Sequence, residues 1–287
     1  MSRPANGTPD DRPTDDRART IRGRRRRNGR PDLPVPGAPT APHDWRPDRF
    51  MVIAAHPDDA DFGPAATAAK WIDAGSVGWL VCCTSGEQGA EDADADPLAL
   101  AATREAEQRR ASEVVGYAGV TFLHQPDGAL ANELPVREML VREIRTFRPD
   151  AVLAHDPEVL FYAGGGVNHA DHRAAGIAAI DAVYPAARNP MAFPGLALAG
   201  LAPHAVRRLY LFWPNDATCW VDVSTTIGRR IEALACHASQ IREPDQMAER
   251  LRAWAAEEGE PIGAAAGEAF RLVVLDDDPA REDQAGR

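Results

Sequence analysis

From Arg49 onward the chain alternates short apolar runs with stretches of helical periodicity, and this alternation limits the fold more than any other feature. Apolar runs at 50–55, 77–84, 120–123 and 151–154 read as strands. Stretches at 63–74, 98–115 and 134–147 read as helices, closed by Gly75, Gly116 and Pro149. Strands that are apolar throughout, rather than alternating, are covered on both faces. Strand, helix, strand in regular succession then calls for a parallel sheet with helices on both sides and right-handed crossovers. The expected fold class is α/β, a Rossmann-like, mostly parallel sheet in a single domain.

The second half is less regular. A glycine-rich loop at 163–166 leads into a helix at 170–183, and 185–204 reads as a loop. Strands are expected at 207–213, 218–223 and 270–275, and helices at 226–238 and 244–258. Ser224 or Thr225 could cap the first of these helices.

Charge divides the chain. The net charge is −11, but residues 1–50 hold twelve arginines against seven aspartates, or +5, which leaves −16 on the remainder. An acidic body argues against nucleic acid as a partner. Residues 1–47 are rich in Arg, Pro, Gly and Asp without apolar periodicity, so a disordered arm is expected there. The arginines from Arg22 to Arg30 lack interleaved aromatics and read as solvated rather than as a binding strip. The folded domain is expected over 48–276, with a disordered tail at 277–287. No run approaches the roughly 18 apolar residues that a membrane span needs. No secretory signal is visible, and Cys82, Cys83, Cys219 and Cys236 form no CxxC pair, so a cytoplasmic protein with reduced thiols is expected.

Two polar clusters carry the chemistry. His56-Pro57-Asp58-Asp59 follows the first strand, and Asn168-His169-Ala170-Asp171-His172 opens a later helix. The C-terminal ends of parallel strands are where open sheets bind ligands. His56 and Asp59 stand three apart in a turn set by Pro57, and His169 and His172 share one face of a first helical turn. Two histidines, one carboxylate and an open position make the usual catalytic zinc arrangement. Taken singly, each cluster could also be a capped turn with idle side chains. His155 and Asp156, at the end of the 151–154 strand, also point toward the site. Asp61 and Glu87 sit beside it. His237 and Gln240 read as packing or helix-end residues, and Trp213 beside Pro214 could stack on a ring. No Gly-x-Ser-x-Gly elbow and no Gly-x-Gly-x-x-Gly turn is present, which argues against a serine hydrolase and a dinucleotide enzyme.

The chain resembles the PIG-L (LmbE-like) family of metal-dependent N-deacetylases. The resemblance spans roughly residues 50–275. It rests on Ala55-His56-Pro57-Asp58-Asp59-Ala60, on Thr84 to Gly89, on Arg104 to Gly116, on Pro126-Asp127-Gly128, on Asn168 to Arg173, and on Ala235 to Gln240. It implies His56, Asp59 and His172 as metal ligands and Asp58 as the general base that takes a proton from the attacking water. It implies His169 as stabiliser of the oxyanion, either His169 or protonated Asp58 as the acid for the departing amine, and Asp171 as the residue that orients His169. Arg104 and Asp127 align with positions that hold sugar hydroxyls. The implied metal is zinc, with ferrous iron as the alternative that the same N/O ligands accept. The implied substrate is a small amino sugar or glycoconjugate that loses an N-acetyl or other N-acyl group. Rival readings are an amidase acting on a thiol- or glycopeptide-type conjugate, and a non-catalytic, metal-bound carbohydrate-binding protein. The mycothiol branch carries a tyrosine two residues before the first histidine of the second cluster; Val167 stands there, which weakens that substrate. Homo-oligomers, frequent among relatives, are left open.

Overall fold

A computed structural model describes residues 41–276. The arginine run and the 277–287 tail lie outside the described residues, as does most of the expected arm.

The first strand, β1 (Arg49–Ala54), is buried from Phe50 on. Phe50, Val52 and Ala54 face one helical layer while Met51 and Ile53 face the other, the period-2 division of a strand covered on both sides. β2 (Val77–Thr84), β3 (Gly119–Gln125), β4 (Ala151–His155) and β5 (Arg208–Phe212) join it in parallel, and β6 (Cys219–Asp222) and β7 (Gly267–Val274) complete a seven-stranded sheet in the order β3-β2-β1-β4-β5-β7-β6. β7 runs antiparallel to β5, and β6 antiparallel to β7.

The helices α2 (Ala65–Asp73) and α3 (Pro97–Val115) carry core residues of one layer, and α4 (Leu134–Phe147) and α5 (Ala170–Asp181) those of the other. Asp96 caps α3 by accepting the Leu98 N–H at 2.9 Å, and Gly116, at φ 98°, ends it in the left-handed conformation that favours glycine.

Three expectations need correction. The helix expected at 63–74 is α2 (Ala65–Asp73), and an unexpected single-turn helix, α1 (Asp59–Phe62), precedes it, divided from it at Gly63-Pro64. Proline lacks the N–H that continuation would use, so the break falls there. The expected loop at 185–204 contains a short helix, α6 (Pro194–Leu198), and α5 leads into a segment at Ala182–Ala187 that kinks at Tyr184, whose backbone is extended at φ −142° and ψ 119°. β7 begins at Gly267, earlier than expected. The remaining helices are α7 (Ile227–Leu234) and α8 (Pro244–Gly259). Among the described residues no helix is long and apolar enough to cross a membrane. Residues 41–47, counted by sequence into the arm, include His43, 2.9 Å from the Tyr210 hydroxyl, and Trp45, stacked on the Tyr210 ring.

Candidate active site

The strand order reverses at β1, with β2 on one side and β4 on the other, and such a switch point opens a crevice at the strands' C-terminal ends. β1 delivers His56 to that crevice and β4 ends in His155. Downstream of β1 the chain folds back on itself, so that the His56 N–H donates to Asp59 Oδ2 at 2.7 Å. α5 brings the second cluster. A Cβ at Gly176 would stand 2.5 Å from the His155 carbonyl, so only glycine lets α5 lie this close to the end of β4. His169 caps α5 and His172 sits in its first turn.

The side chains interlock around Asp59 and His56. Asp59 Oδ1 is 3.1 Å from His172 Nε2, and Oδ2 is 3.2 Å from His155 Nε2. The His155 and His172 rings stack with centroids 4.3 Å apart. On the other side, His56 Nε2 is 3.0 Å from Asp127 Oδ1 and 3.3 Å from Asp171 Oδ2. Asp171 also accepts from the Gly128 N–H at 2.7 Å and the Leu130 N–H at 3.2 Å. Asn168 Oδ1 lies 3.1 Å from His172 Nδ1 and accepts from the Tyr162 hydroxyl at 2.6 Å.

Asp58 points elsewhere. Its carboxylate takes a hydrogen bond from Arg104 Nη2 at 3.2 Å and lines an open cavity of about 470 Å³. His56, His169, His172, Gln88, Phe62 and Trp213 line the same cavity.

The electrostatics separate the two neighbouring aspartates. Burial, then the charge of Asp59, pushes Asp58 up to about 7, against the pull of Arg104. Burial works the same way on Asp59, but the charges of His172 and His155 hold it well below the usual carboxylate range. Burial drives His155 down to about 4. Burial also opposes a charge on His56, yet hydrogen bonds to Asp127, Asp171 and Asp59 raise it to about 12.

Three carboxylates converging on one imidazole favour positive charge at that point, which a divalent cation supplies. Among the described residues three groups have donor atoms within 4.8 Å of one another, His56/His169/His172, Asp59/His155/His172 and His56/Asp127/Asp171. All the donors are imidazole nitrogens and carboxylate oxygens, a set that suits Zn²⁺ or Fe²⁺.

A family model described as GlcNAc-PI de-N-acetylase, PIG-L, matches residues 51–183. The chain is 31% identical over 202 residues to a diacetylchitobiose deacetylase of Thermococcus kodakarensis, an overlap that covers 68% of this chain and 71% of that one. The chain belongs to the PIG-L family. This PIG-L protein is also 30% identical over 196 residues to a 1D-myo-inositol 2-acetamido-2-deoxy-alpha-D-glucopyranoside deacetylase of Kineococcus radiotolerans, covering 58% of this chain and 52% of that one. The solved N,N'-diacetylchitobiose deacetylase of Pyrococcus horikoshii, bound to an inhibitor, superposes with a TM-score of 0.72 at 28% identity, over 82% of this chain and 89% of that one.

The PIG-L fold brings the two sequence clusters together, with His56, Asp58, Asp59, His169, His172, Arg104 and Asp127 all on one cavity. One assignment changes, and Asp127 and Arg104, which line the cavity, have further partners. The Asp171 carboxylate does not reach for His169; it bonds His56, and only the Asp171 backbone N–H donates to His169 Nδ1, at 3.2 Å. Asp127 spends its carboxylate on His56 and the Gln88 N–H, not on the cavity alone. Arg104 is buried and donates to the carbonyls of Gly86 and Pro57 as well as to Asp58. Both residues are therefore built into the wall before any sugar arrives. His155 joins the cluster, whereas Asp156 turns to Arg271 at 3.2 Å. Glu87 accepts the Asp127 N–H at 2.9 Å. Asp61, read from sequence as lying beside the site, and His237, read as packing or a helix end, pair with each other behind Asp58; Gln108 has no counterpart in the sequence reading, although it lies one helical turn after Arg104.

Proposed function

We propose that this protein hydrolyses the N-acetyl amide of an amino sugar or sugar conjugate. The observation that carries the reading is the divergence of Asp58 and Asp59. Asp59 is committed to the histidines, while Asp58 opens on the cavity with an acidity near neutrality. A general base works best when its pKa lies near the operating pH. The names of the Thermococcus and Kineococcus relatives support an amino-sugar substrate.

His56, Asp59 and His172 would hold the cation, zinc in the first instance and ferrous iron as the alternative. A bound cation polarises the acyl carbonyl and acidifies water. Asp58 accepts the proton of the attacking water and can return it to the departing nitrogen. His169 is the oxyanion donor. Its Nδ1 accepts the Asp171 N–H, so in the neutral ring the proton resides on Nε2, free to donate. Burial, then the charges of His56 and His172, lowers the His169 pKa and favours that neutral form. Phe62 and Trp213 offer the apolar faces on which a sugar ring can lie. The four free cysteines accord with a cytoplasmic setting.

The test is acetate release from N,N'-diacetylchitobiose and a panel of N-acetylated amino sugars. Protein is stripped of metal and then reloaded with zinc or with ferrous iron under anaerobic conditions. Release only after reloading is the expected result. No release from any sugar, in protein that binds one metal per chain, would sink the deacetylase reading in favour of a conjugate amidase or a binding protein.

A further inference from the structure

Asp58 is held at φ 95° and ψ −30°, a backbone conformation that a residue with a side chain rarely adopts. Such a conformation persists only where the surroundings over-determine it. Here the grip is on the peptide unit between Pro57 and Asp58. Arg104 Nη2 donates to its carbonyl at 2.7 Å, and its N–H donates to Gln108 Oε1 at 2.8 Å. Arg104 and Gln108 stand on consecutive turns of α3, so one helix holds both polar ends of one peptide bond.

The Gln108 amide has a fixed sense. Its Nε2 donates to Asp61 Oδ2 at 2.9 Å; turned over, it would set its oxygen against that carboxylate and its N–H groups against the Asp58 N–H. Asp61 Oδ2 lies in turn 2.8 Å from His237 Nε2, and Gln108, Asp61 and His237 are all wholly buried. None of the three lines the cavity that Asp58 lines.

We propose that Gln108 is a positioning residue for Asp58, with its amide oriented by the Asp61–His237 pair, and that it aims the Asp58 carboxylate by holding the strained peptide. The proposal rests on the reading of Asp58 as the base. It gives the buried Asp61–His237 pair a task in turnover although neither residue reaches the substrate.

The decisive variant is Gln108→Met, which keeps length and burial and deletes both hydrogen bonds. In zinc-loaded protein with N,N'-diacetylchitobiose as probe, kcat should fall at least tenfold while KM stays within threefold and one metal remains bound per chain. In metal-free protein, deuterium exchange at the Asp58 amide should rise at least tenfold. Should Gln108→Met fail to fold, Gln108→Asn withdraws the amide by one methylene and is held to the same two readouts. A kcat within threefold of the parent, a loss confined to KM, or unchanged protection of the Asp58 amide would each overturn the proposal. Asp58→Asn serves as the control. If it retains full activity, the base assignment fails; if it is inactive while Gln108→Met is not, only the positioning role fails.

Discussion

Asp59 Oδ1 stands 3.1 Å from His172 Nε2, and this contact ties the two polar clusters of the chain into one site. Asp59 meets His155 through its other oxygen, at 3.2 Å, and the group of close donors that contains Asp59 and His172 brings in His155, whereas His56 groups with His169 and His172 or with Asp127 and Asp171. If His56, Asp59 and His172 are the ligands, His155 acts on the metal only by orienting Asp59. His155→Ala should then cost roughly 10- to 100-fold in zinc affinity, the usual effect of an outer partner, and His56→Ala and His172→Ala distinctly more. Competition titration with a chromogenic chelator ranks the three. A larger loss from His155→Ala than from His56→Ala would move the centre to the His155 group.

Asp58→Asn isolates the proton transfer. Asparagine is at home at positive φ, so the strained turn should survive the change. Metal content should be unchanged and kcat should fall by about 10²- to 10⁴-fold, the typical contribution of a positioned base. Retention of the parent kcat would remove Asp58 from the chemistry.

The sequence displayed the site where polar residues interrupt apolar strands, and concealed it where contacts are purely tertiary. His56, Asp58 and Asp59 stand out because they end the buried β1, and His169 and His172 because they open α5 after a glycine-rich loop. The fold was legible for a related reason, since a strand buried on both faces cannot tolerate polar residues until its end. Gln108 gives no such cue. It lies within a helix of mixed composition, and its value depends on Asp58 and Asp61 arriving from another element. Asp171 misled for the opposite reason. Its nearness in sequence to His169 suggested a partner, while folding delivered its carboxylate to His56 beyond the end of β1.

Behind the site, Arg230 and Glu268 form a buried pair at 3.2 Å, and Glu268 also accepts the N–H groups of Ala66 and Thr67 at the start of α2. Removing one partner strands the other charge. Arg230→Met should destabilise the fold by about 3–5 kcal/mol. Adding Glu268→Gln, which removes the charge and keeps an acceptor for α2, should recover much of the loss. Urea denaturation of the two variants checks this; no recovery in the double variant would assign the cost instead to the bonds that Arg230 donates to the Asp61 and Phe62 carbonyls.

Glu258 supplies a pH dependence of stability that is separate from the site. Burial, opposed by Arg230 and reinforced by the charge of Glu268, pushes it up to about 7, while its Oε2 accepts the Ala269 N–H at 3.0 Å. Between the ordinary glutamate value and 7 the folded chain therefore binds a proton that the unfolded chain has released. Stability then falls as pH rises through that window, by no more than about 1.4 kcal/mol per pH unit from this one group, and levels off above it. Glu258→Gln keeps the acceptor and deletes the titration. It should match the parent near pH 4.5, gain on it steadily toward pH 7, and hold a constant advantage at higher pH. Thermal unfolding of both proteins across that range decides the matter: parallel curves would mean that Glu258 ionises in the folded state as freely as in the unfolded chain.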